Sequence, residues 1–309
     1  MSTDRPRLRT FSHTCRQRFG QPVGKIAIDL GYPCPNREKG GCIFCSAPAF
    51  TPGYLRKTDD PGKQIIRGRK NLLRQGVKKY FGYFQQETPT AAPNDYFLSI
   101  CSLILQDPDC MGLIISTRPD AVEEELLTLL SRILIENRKR KNCLFELGIQ
   151  SAHEKTLALL NRNHGFSDFR NSAELLQKYG FETGAHLIFG LPGETVEDMQ
   201  ATIKMVCSTK ISALKIHHLQ VLQGTVLQRM YQNRQIDVFA TPEDYFRLLL
   251  QLLPHIPSDI TIHRLFATSH PELLVAPKWN ILTHILSRKL LELMEENAVS
   301  QGTEVKINL

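Results

Sequence analysis

Short apolar runs alternate with amphipathic segments through most of the chain. Six of the apolar runs have the length and residue content of strands, and the segments between them have the apolar spacing of helices. The predicted strands span residues 25–30, 79–84, 112–116, 143–149, 182–189 and 213–219. The predicted helices span residues 64–75, 96–105, 121–137, 154–160, 166–179 and 195–207. Since the strands are largely apolar on both faces, the pattern predicts a parallel sheet covered by helices.

Six such strand–helix units predict an α/β fold, a partial TIM-like (β/α)6 barrel, although a doubly wound sheet has the same local pattern. Residues 25–222 are predicted to form this core, and residues 1–24 an irregular N-terminal arm. Residues 223–309 are predicted to form a C-terminal α/β extension packed on the core. Its elements are helices at 242–253 and 279–297 and a strand at 259–265. Residues 48–61, rich in Pro, Gly and Thr, predict a long loop.

The composition and the lengths of the apolar runs indicate the cellular compartment in which the protein is expected. Of the 309 residues, 42% are hydrophobic, which suits a large globular core. No apolar run is long enough to span a membrane, and the first residues are polar and charged. We therefore expect a cytoplasmic protein without a membrane partner. In such a reducing compartment, clustered cysteines indicate a metal rather than disulfides.

The chain carries a formal net charge of +7, and its basic residues are unevenly distributed. One group comprises Arg56, Lys57, Lys63, Arg67, Arg69, Lys70, Arg74, Lys78 and Lys79, and a second is the run 138–141. These residues indicate either solvated helix faces or a surface that contacts phosphates.

The strongest chemical signal is a glycine-containing loop with three cysteines, Cys34, Cys42 and Cys45. Thiolates select iron–sulfur clusters, zinc or copper(I). Ferredoxin patterns supply four cysteines for each cluster, whereas this loop supplies three. An incomplete ligand set leaves a metal position open for substrate. The alternative is a zinc site completed by Cys15, His13 or a distant histidine.

Further motifs follow the cysteine loop in order along the chain. They are Tyr83-Phe84-Gln85 with Thr88-Pro-Thr90 and Pro93, then 116–120, 146–151, 186–194, Lys215-Ile-His217, Ala276-Pro277 and Trp279. This ordered set resembles the radical S-adenosylmethionine (SAM) superfamily. More narrowly it is similar to the Elongator-like sequences, and most of all to their small YhcC-type branch.

The resemblance implies a [4Fe–4S] cluster ligated by Cys34, Cys42 and Cys45, whose fourth iron binds the amino and carboxylate groups of SAM. An electron from the reduced cluster would cleave SAM to methionine and a 5′-deoxyadenosyl radical, which abstracts hydrogen from substrate. The resemblance also implies a low-potential electron donor such as flavodoxin or ferredoxin. The cofactor carries this chemistry, and the protein positions it.

The resemblance assigns cofactor contacts to residues at successive strand ends. Phe44 is expected to pack against the adenine. Gln85, at the end of the second strand, stands where relatives bind the methionyl amine. Thr117 and Arg118 end the third strand and are further candidates for the cofactor site.

Five later residues complete the expected site. Gln150 has the donors and acceptors for a ribose hydroxyl. Arg162 is the candidate for the SAM carboxylate, which a guanidinium grips with two hydrogen bonds; otherwise it is a surface arginine at a helix end. Gly190 is expected to let the backbone approach the adenine. Lys215 and His217 share one face of the last strand and are the candidate catalytic residues on the substrate side.

The family relationship favours tRNA as substrate, with modification of the side chain at C5 of the wobble uridine. The alternatives are a radical SAM reaction on a small molecule and, from another class, a non-catalytic metal-containing RNA-binding module. The segment Thr88–Pro93 lacks an aromatic residue of the branch, and Arg162-Asn163-His164 replaces its usual Arg-Gly-His. The acetyltransferase domain of true Elongator subunits is not expected, and neither is use of acetyl-coenzyme A.

Overall fold

The computed structural model of the protein describes residues 6–55 and 59–305, which form nine strands and eleven α-helices. The strands are β1 Val23–Ile28, β2 Lys79–Phe84, β3 Cys110–Thr117, β4 Cys143–Gln150, β5 Glu182–Phe189, β6 Ala213–His218, β7 Val221–Leu222, β8 Thr261–Arg264 and β9 Leu274–Ala276. The helices are α1 Phe11–Phe19, α2 Ala47–Phe50, α3 Pro61–Arg74, α4 Asn94–Leu105, α5 Glu124–Glu136, α6 Glu154–Leu159, α7 Phe166–Lys178, α8 Val196–Ser208, α9 Val226–Gln232, α10 Pro242–Leu252 and α11 Thr283–Glu296.

Seven parallel strands form the main sheet, in the order β1-β2-β3-β4-β5-β6-β8. Neighbouring strands follow each other along the chain, so the sheet curls in one direction and its carboxyl ends meet at one rim. The residues of β4, at the centre of the sheet, are all buried. The predicted partial TIM-like barrel is confirmed, and its carboxyl rim is the expected place for a functional site.

The C-terminal part contributes a strand to the barrel, which the six predicted units did not include. Residues 261–264 pair with β6 in parallel, through Ala213 with Thr261 and Leu214 with Ile262. This strand is only four residues long, and two helices separate it from β6 along the chain. Such a short strand has too few residues to show which sheet it joins.

The expectation of an irregular N-terminal arm is wrong, because residues 11–19 form a helix. The hydroxyl of Thr10 accepts from the His13 N–H at its start, and Gly20 ends it with a left-handed φ of 68°. Phe11, Cys15 and Phe19 recur at every fourth position and form its inward stripe. The helix covers the open seam of the barrel between β1 and β8, where Thr10 bridges to Ile262.

The predicted loop over residues 48–61 is also partly helical. Residues 47–50 form the short helix α2, and Pro61 is the first residue of α3 rather than the end of a loop. Proline suits that position since the first helical N–H has no partner within the helix. Arg56 and Lys57, two members of the predicted basic group, lie outside the described residues.

Most of the remaining basic residues are engaged within the protein. Ion pairs join Arg67 to Asp59, Arg69 to Asp107 and Asp109, Lys79 to Asp109, and Lys63 to Asp60. In the second run, the side chains of Lys139 and Arg140 donate to the backbone oxygens of Cys110 and Tyr179. The contacts of Arg69, Lys79, Lys139 and Arg140 lie near the starts of strands, whereas Asp59 and Asp60 lie beside Asp29 and Glu87 at the carboxyl rim. The basic groups therefore serve mainly the fold.

Within the described residues, no helix is both long and apolar enough to cross a bilayer.

Candidate active site

The cysteine loop lies at the carboxyl rim, after β1. Cys34 precedes a 3-10 turn over Pro35–Lys39, and Gly40 and Gly41 follow with φ values of 87° and 72°. Two consecutive left-handed residues reverse the chain tightly, which glycine permits at low cost. All three cysteines consequently line one cavity of about 300 Å³, together with Gln85, Thr117, Arg118, Gln150 and Arg162. The structure thus brings these predicted residues together.

A glutamate that sequence reasoning missed holds the first cysteine. Glu87 follows β2 and accepts from the Cys34 N–H at 3.1 Å and from Arg37 Nη2 at 2.7 Å. Its backbone has the left-handed φ of 54°, a costly conformation for a glutamate and one that clusters at functional sites. Glu87 therefore ties the cysteine loop to the end of β2.

Replacing Glu87 with alanine is expected to loosen the loop and speed loss of iron. The variant leaves the Cys34 N–H and the Arg37 guanidinium without their acceptor, whereas Glu87→Gln keeps an acceptor oxygen for the N–H. We expect Glu87→Ala to release iron to a chelator several-fold faster than the wild type, with Glu87→Gln in between. Equal release rates in all three proteins would exclude this anchoring role.

Three asparagines hold the second half of the loop. Asn36 Nδ2 donates to Cys42 Sγ at 3.2 Å and to Asn161 O at 2.8 Å. Asn161 Nδ2 donates to Gly41 O at 2.8 Å, and Asn163 Nδ2 donates to Asn36 Oδ1 at 2.8 Å. Asn163 has a φ of 54°, a left-handed backbone conformation that asparagine tolerates better than most residues.

The loop is also bound to backbone from two distant segments. The Ile43 N–H donates to Leu160 O at 3.1 Å, and Ile43 O accepts from the Leu227 N–H at 2.9 Å. Ile43 and Phe44 pack against the apolar cluster that contains Leu160 and Leu227. The position of the cysteines is therefore fixed by contacts with three separate parts of the chain.

Arg162 is only 7% exposed. It is therefore not a surface arginine at a helix end, which was the alternative to a role in binding the SAM carboxylate. Its Nη1 donates to Cys42 Sγ at 3.1 Å, and its Nη2 donates to Gly148 O and to His164 Nε2. Burial and the neighbouring Arg162 lower the pKa of His164 to about 4, so the imidazole is neutral and accepts through Nε2.

Residues at the ends of β3 and β4 complete the wall of the cavity that the three cysteines line. Arg118 is paired with Asp120 through two hydrogen bonds of 2.8 Å and donates to Arg162 O at 2.9 Å. Thr117 Oγ1 lies 2.6 Å from Thr90 Oγ1, which belongs to the altered segment 88–93. Gln150 has a φ of 73° beside an irregularity in the pairing of β4 with β5. Gln85 donates to Phe50 O at 2.9 Å.

Unpaired polar atoms on this wall show which group it suits. Arg118 Nη1, Arg162 Nε and Thr88 Oγ1 are buried and have no partner among the described residues. Buried donors without acceptors are costly and often mark a ligand site. Two guanidinium donors beside three cysteines fit a carboxylate-bearing ligand next to a metal cluster. The residues present therefore fit a [4Fe–4S] cluster and SAM.

The zinc alternative finds no support in the fold. Cys15 packs with Phe81 and Ile114 near the starts of strands, and with Phe11 it lines a separate cavity of about 420 Å³ there. His13 lies on the same helix. Within residues 6–55 and 59–305, no three His, Cys, Asp or Glu side chains converge as ligands of a single ion would. Three cysteines spread around one cavity suit a cluster, whose width separates its ligands.

A second cavity of about 180 Å³ adjoins the first. The two share Phe50, Gln85, Gln150 and His186, and the second is also lined by Phe44, Lys215, His217 and Arg264. Both predicted catalytic residues thus lie beside the cofactor cavity. Gly190 lines neither cavity, and a Cβ added there would lie 2.6 Å from the Phe239 ring. Its open side faces Phe239.

Beneath this second cavity, polar side chains from several strands of the barrel surround the buried carboxylate of Glu146. Glu146 on β4 is 1% exposed. Its oxygens accept from Tyr83 Oη at 2.9 Å and Ser116 Oγ at 2.8 Å, and lie 2.8 Å from His186 Nε2 and His263 Nδ1. Sequence reasoning left Glu146 without a role and His186 undecided between the barrel and the core. Both side chains point into the barrel.

Two lysines flank this carboxylate. Lys215 Nζ lies 3.6 Å and Lys25 Nζ 3.7 Å from Glu146. Burial alone would raise the pKa of Glu146, but Lys215 and Lys25 hold it well below its usual range. Burial lowers the pKa of Lys215 to about 7, against the opposing effect of Glu146. Burial and Lys215 lower the pKa of His186 to about 4, so this imidazole is neutral. The barrel interior consequently carries one anion facing two amines.

Two family models match most of the chain. The family model of the radical SAM superfamily matches residues 31–206, and that of the Radical_SAM C-terminal domain matches residues 211–292. YtqA of Bacillus subtilis is 33% identical over 91% of this chain and 87% of its own length. YhcC of Escherichia coli K12 is 30% identical over 87% of this chain and 86% of its own length.

More distant similarities concern the fold and part of the sequence. The structure of Elp3 from Methanocaldococcus infernus superposes with a TM-score of 0.67 at 19% identity, covering 90% of this chain and 64% of that one. A tRNA uridine(34) acetyltransferase of the same organism is 26% identical over 43% of this chain and 24% of its own length. With the family models matching from residue 31 to 292 and the cysteines on one cavity, the chain belongs to the radical SAM superfamily.

Proposed function

We propose that this radical SAM enzyme acts on tRNA and modifies the side chain at C5 of the wobble uridine. The observation that carries the proposal is the pair of adjoining cavities. The cavity of the three cysteines shares Gln85, Gln150 and His186 with a second cavity lined by Lys215 and His217. Phe44, which is assigned to the adenine, lines only the second cavity, so SAM extends from the cysteines into that cavity and leaves its Lys215 and His217 side for the substrate.

In the proposed assignment, Cys34, Cys42 and Cys45 ligate the [4Fe–4S] cluster that this family uses with SAM. When bound, the cluster and SAM supply a 5′-deoxyadenosyl radical after an electron arrives from a donor such as flavodoxin or ferredoxin. The unpaired guanidinium nitrogens of Arg162 and Arg118 bind the SAM carboxylate.

Four other residues position the rest of the cofactor. Gln85 and Thr117 face its methionyl end, Gln150 its ribose and Phe44 its adenine. We leave Gly190 out of this set, since the Phe239 ring occupies the space on its open side. The remaining task of the wall is to keep water and side reactions away from the radical.

Several observations support a nucleoside of tRNA as substrate. The partly similar acetyltransferase is named for uridine 34 of tRNA. The second cavity is about 180 Å³ and too small for a helix, so only a small part of the substrate enters it beside the cofactor. Enzymes that modify a base inside structured nucleic acid take it out of its stack into such a pocket. The basic groups around α3 do not carry this proposal, since many of them are paired with aspartates.

Deletion of the gene tests the proposal directly. Nucleosides from tRNA of the deletion strain and its parent are separated and compared by mass spectrometry. We expect one modified wobble uridine to disappear and its precursor to accumulate, with the other modified nucleosides serving as the internal control. An identical profile in both strains would exclude tRNA as substrate and leave a small molecule.

A second measurement tests whether the purified enzyme acts directly on the unmodified tRNA. The protein is reconstituted anaerobically with iron and sulfide and reduced in the presence of SAM. Transfer RNA from the deletion strain is expected to raise the rate of 5′-deoxyadenosine formation, and tRNA from the parent strain, already modified, is expected to have little effect. Equal rates with both tRNAs would contradict the assignment.

A further inference from the structure

Two basic side chains lie side by side on β6 and β8. Lys215 and Arg264 are partners in the register of the two strands, and both line the second cavity. An irregularity in the pairing just before Lys215 places Arg264, rather than His263, opposite it. Side chains paired in this way lie on the same face of the sheet, where like charges repel each other. The fold therefore maintains a repulsive pair on the substrate side of the cavity.

Too few carboxylates lie nearby to balance these charges. Glu146 is shared between Lys215, at 3.6 Å, and Lys25, at 3.7 Å. Arg264 forms no ion pair within the described residues, and its Nη1 donates to Thr268 Oγ1 at 3.1 Å. None of the residues that line the second cavity is acidic. This part of the barrel thus holds three basic side chains and one carboxylate, whereas charges inside proteins are usually paired.

His217 adds a third group to the same face. It follows Lys215 by two residues on the strand, and it also lines the second cavity. Its ring centroid lies 6.0 Å from that of His186, and no hydrogen bond to its nitrogens is formed within the described part of the chain. Burial and Lys215 hold the pKa of His217 well below its usual range, so the neutral ring carries one N–H. An anion beside this N–H, the amine and the guanidinium would relieve their repulsion.

The size of the cavity favours a carboxylate as that anion. The cavity is about 180 Å³, and the cofactor occupies part of it in the proposed assignment. A phosphate of a nucleic acid would have to bring two ester chains into this space. A carboxylate is flat and compact, and its two oxygens suit a guanidinium together with an amine. Ile188 and Leu219, on the apolar part of the wall, suit the carbon to which a carboxylate is attached.

We propose that Lys215, His217 and Arg264 form a subsite that binds a carboxylate group on the substrate side of the reaction. The inference rests on the proposed function in one respect, since that function leaves this side of the second cavity to the substrate. The carboxylate belongs either to a substituent of the nucleoside or to a small acid that binds beside it. Both have the same chemistry at the subsite.

Calorimetric titration of the holoenzyme, loaded with cluster and SAM, with acetate tests the subsite. The bound SAM keeps acetate away from Arg118 and Arg162. Acetamide has the shape of acetate without its charge and is expected to bind about tenfold more weakly or worse, the usual effect of hydrogen bonds to a charged group. Equal affinity for both, or tighter binding of inorganic phosphate than of acetate, would overturn the carboxylate subsite.

Four variants locate the bound acetate. Arg264→Gln is expected to raise its Kd about tenfold through the loss of a charged donor. His217→Phe keeps a ring without the N–H and should raise the Kd severalfold, and Arg264→Lys should fall between wild type and Arg264→Gln. Arg170→Gln removes an exposed charge from α7 and should keep the wild-type Kd.

Cluster absorbance and SAM binding show whether each variant is folded, and His217→Phe keeps the test valid if Arg264→Gln is not. Unchanged acetate affinity in the folded variants at these two positions would place acetate elsewhere and overturn the inference.

Transfer RNA from the deletion strain separates the two sources of the carboxylate. Weaker acetate binding in its presence assigns the carboxylate to the nucleoside, and unchanged or tighter binding assigns it to a separate small acid. If this tRNA does not bind while acetate is preferred over acetamide and weakened by Arg264→Gln, the tRNA substrate is wrong and the subsite stands. If the tRNA binds and acetate is not preferred, only the subsite is overturned.

Discussion

Replacing Cys42 with alanine is expected to abolish both the visible absorbance of the cluster and the formation of 5′-deoxyadenosine. Cys42 Sγ accepts hydrogen bonds from Asn36 and Arg162, so its thiolate is the one most closely held by the protein. With two cysteines left, the loop cannot hold a cluster with one open iron. The absorbance spectrum and the product are measured after anaerobic reconstitution.

A cysteine outside the site provides the matched control. Cys207 lies on α8, far along the sheet from the cysteine loop, and is partly buried. Cys207→Ala removes one thiol from the chain without touching the proposed ligands, and it should keep the cluster and the product. Formation of 5′-deoxyadenosine by Cys42→Ala at the wild-type rate would show that the loop is not the cluster site.

Replacing Glu146 with glutamine is expected to lower the free energy of unfolding by about 3–5 kcal/mol, the usual cost of removing one partner from a buried ion pair. Lys25 and Lys215 lose their common counter-ion, while the glutamine still fills the space. Urea denaturation followed by the fluorescence of Trp279, the single tryptophan, measures the change. Glu124→Gln removes an exposed carboxylate paired with Lys178 at 2.8 Å and is the control expected to cause little change.

The loss of unfolding free energy caused by Glu146→Gln is expected to depend on pH. Glu146 keeps its charge until the pH falls through its lowered folded-state pKa. The attraction to Lys215 exists only while the amine is protonated, and its pKa is about 7 in the folded protein. The stability difference between wild type and Glu146→Gln should therefore be larger at pH 6 than at pH 9. A difference independent of pH over this range would mean that the lysine charges do not contribute.

The barrel is largely predictable from the sequence because its strands are buried on both faces. Largely apolar runs such as 143–149, in which Glu146 is the one charged residue, have few alternatives to a buried strand. The helix at 11–19 shows a regular stripe of Phe11, Cys15 and Phe19 and was missed because its mean character is polar. The strand at 261–264 has no comparable signal, since the edge it joins is decided by tertiary pairing.

The candidate site likewise contains residues that the sequence predicts and residues that it does not. Three thiolates in one loop have few chemical uses, so their role follows from residue type and spacing. Glu87 and Asn36 have no such signature, because glutamate and asparagine are common after strands and in turns. Their roles depend on contacts across 53 and 125 residues of chain.

The contacts of Ile43 with Leu160 and Leu227 have a consequence for how the enzyme matures. Protein synthesis adds about 5–20 residues per second, so Leu227 is made roughly ten to forty seconds after Cys45. During that time the three thiols lie in an unfinished loop without their anchors, open to oxidation and to the wrong metal. We therefore expect iron and sulfide to be inserted after the barrel is complete, because helix α9 supplies the last of these contacts.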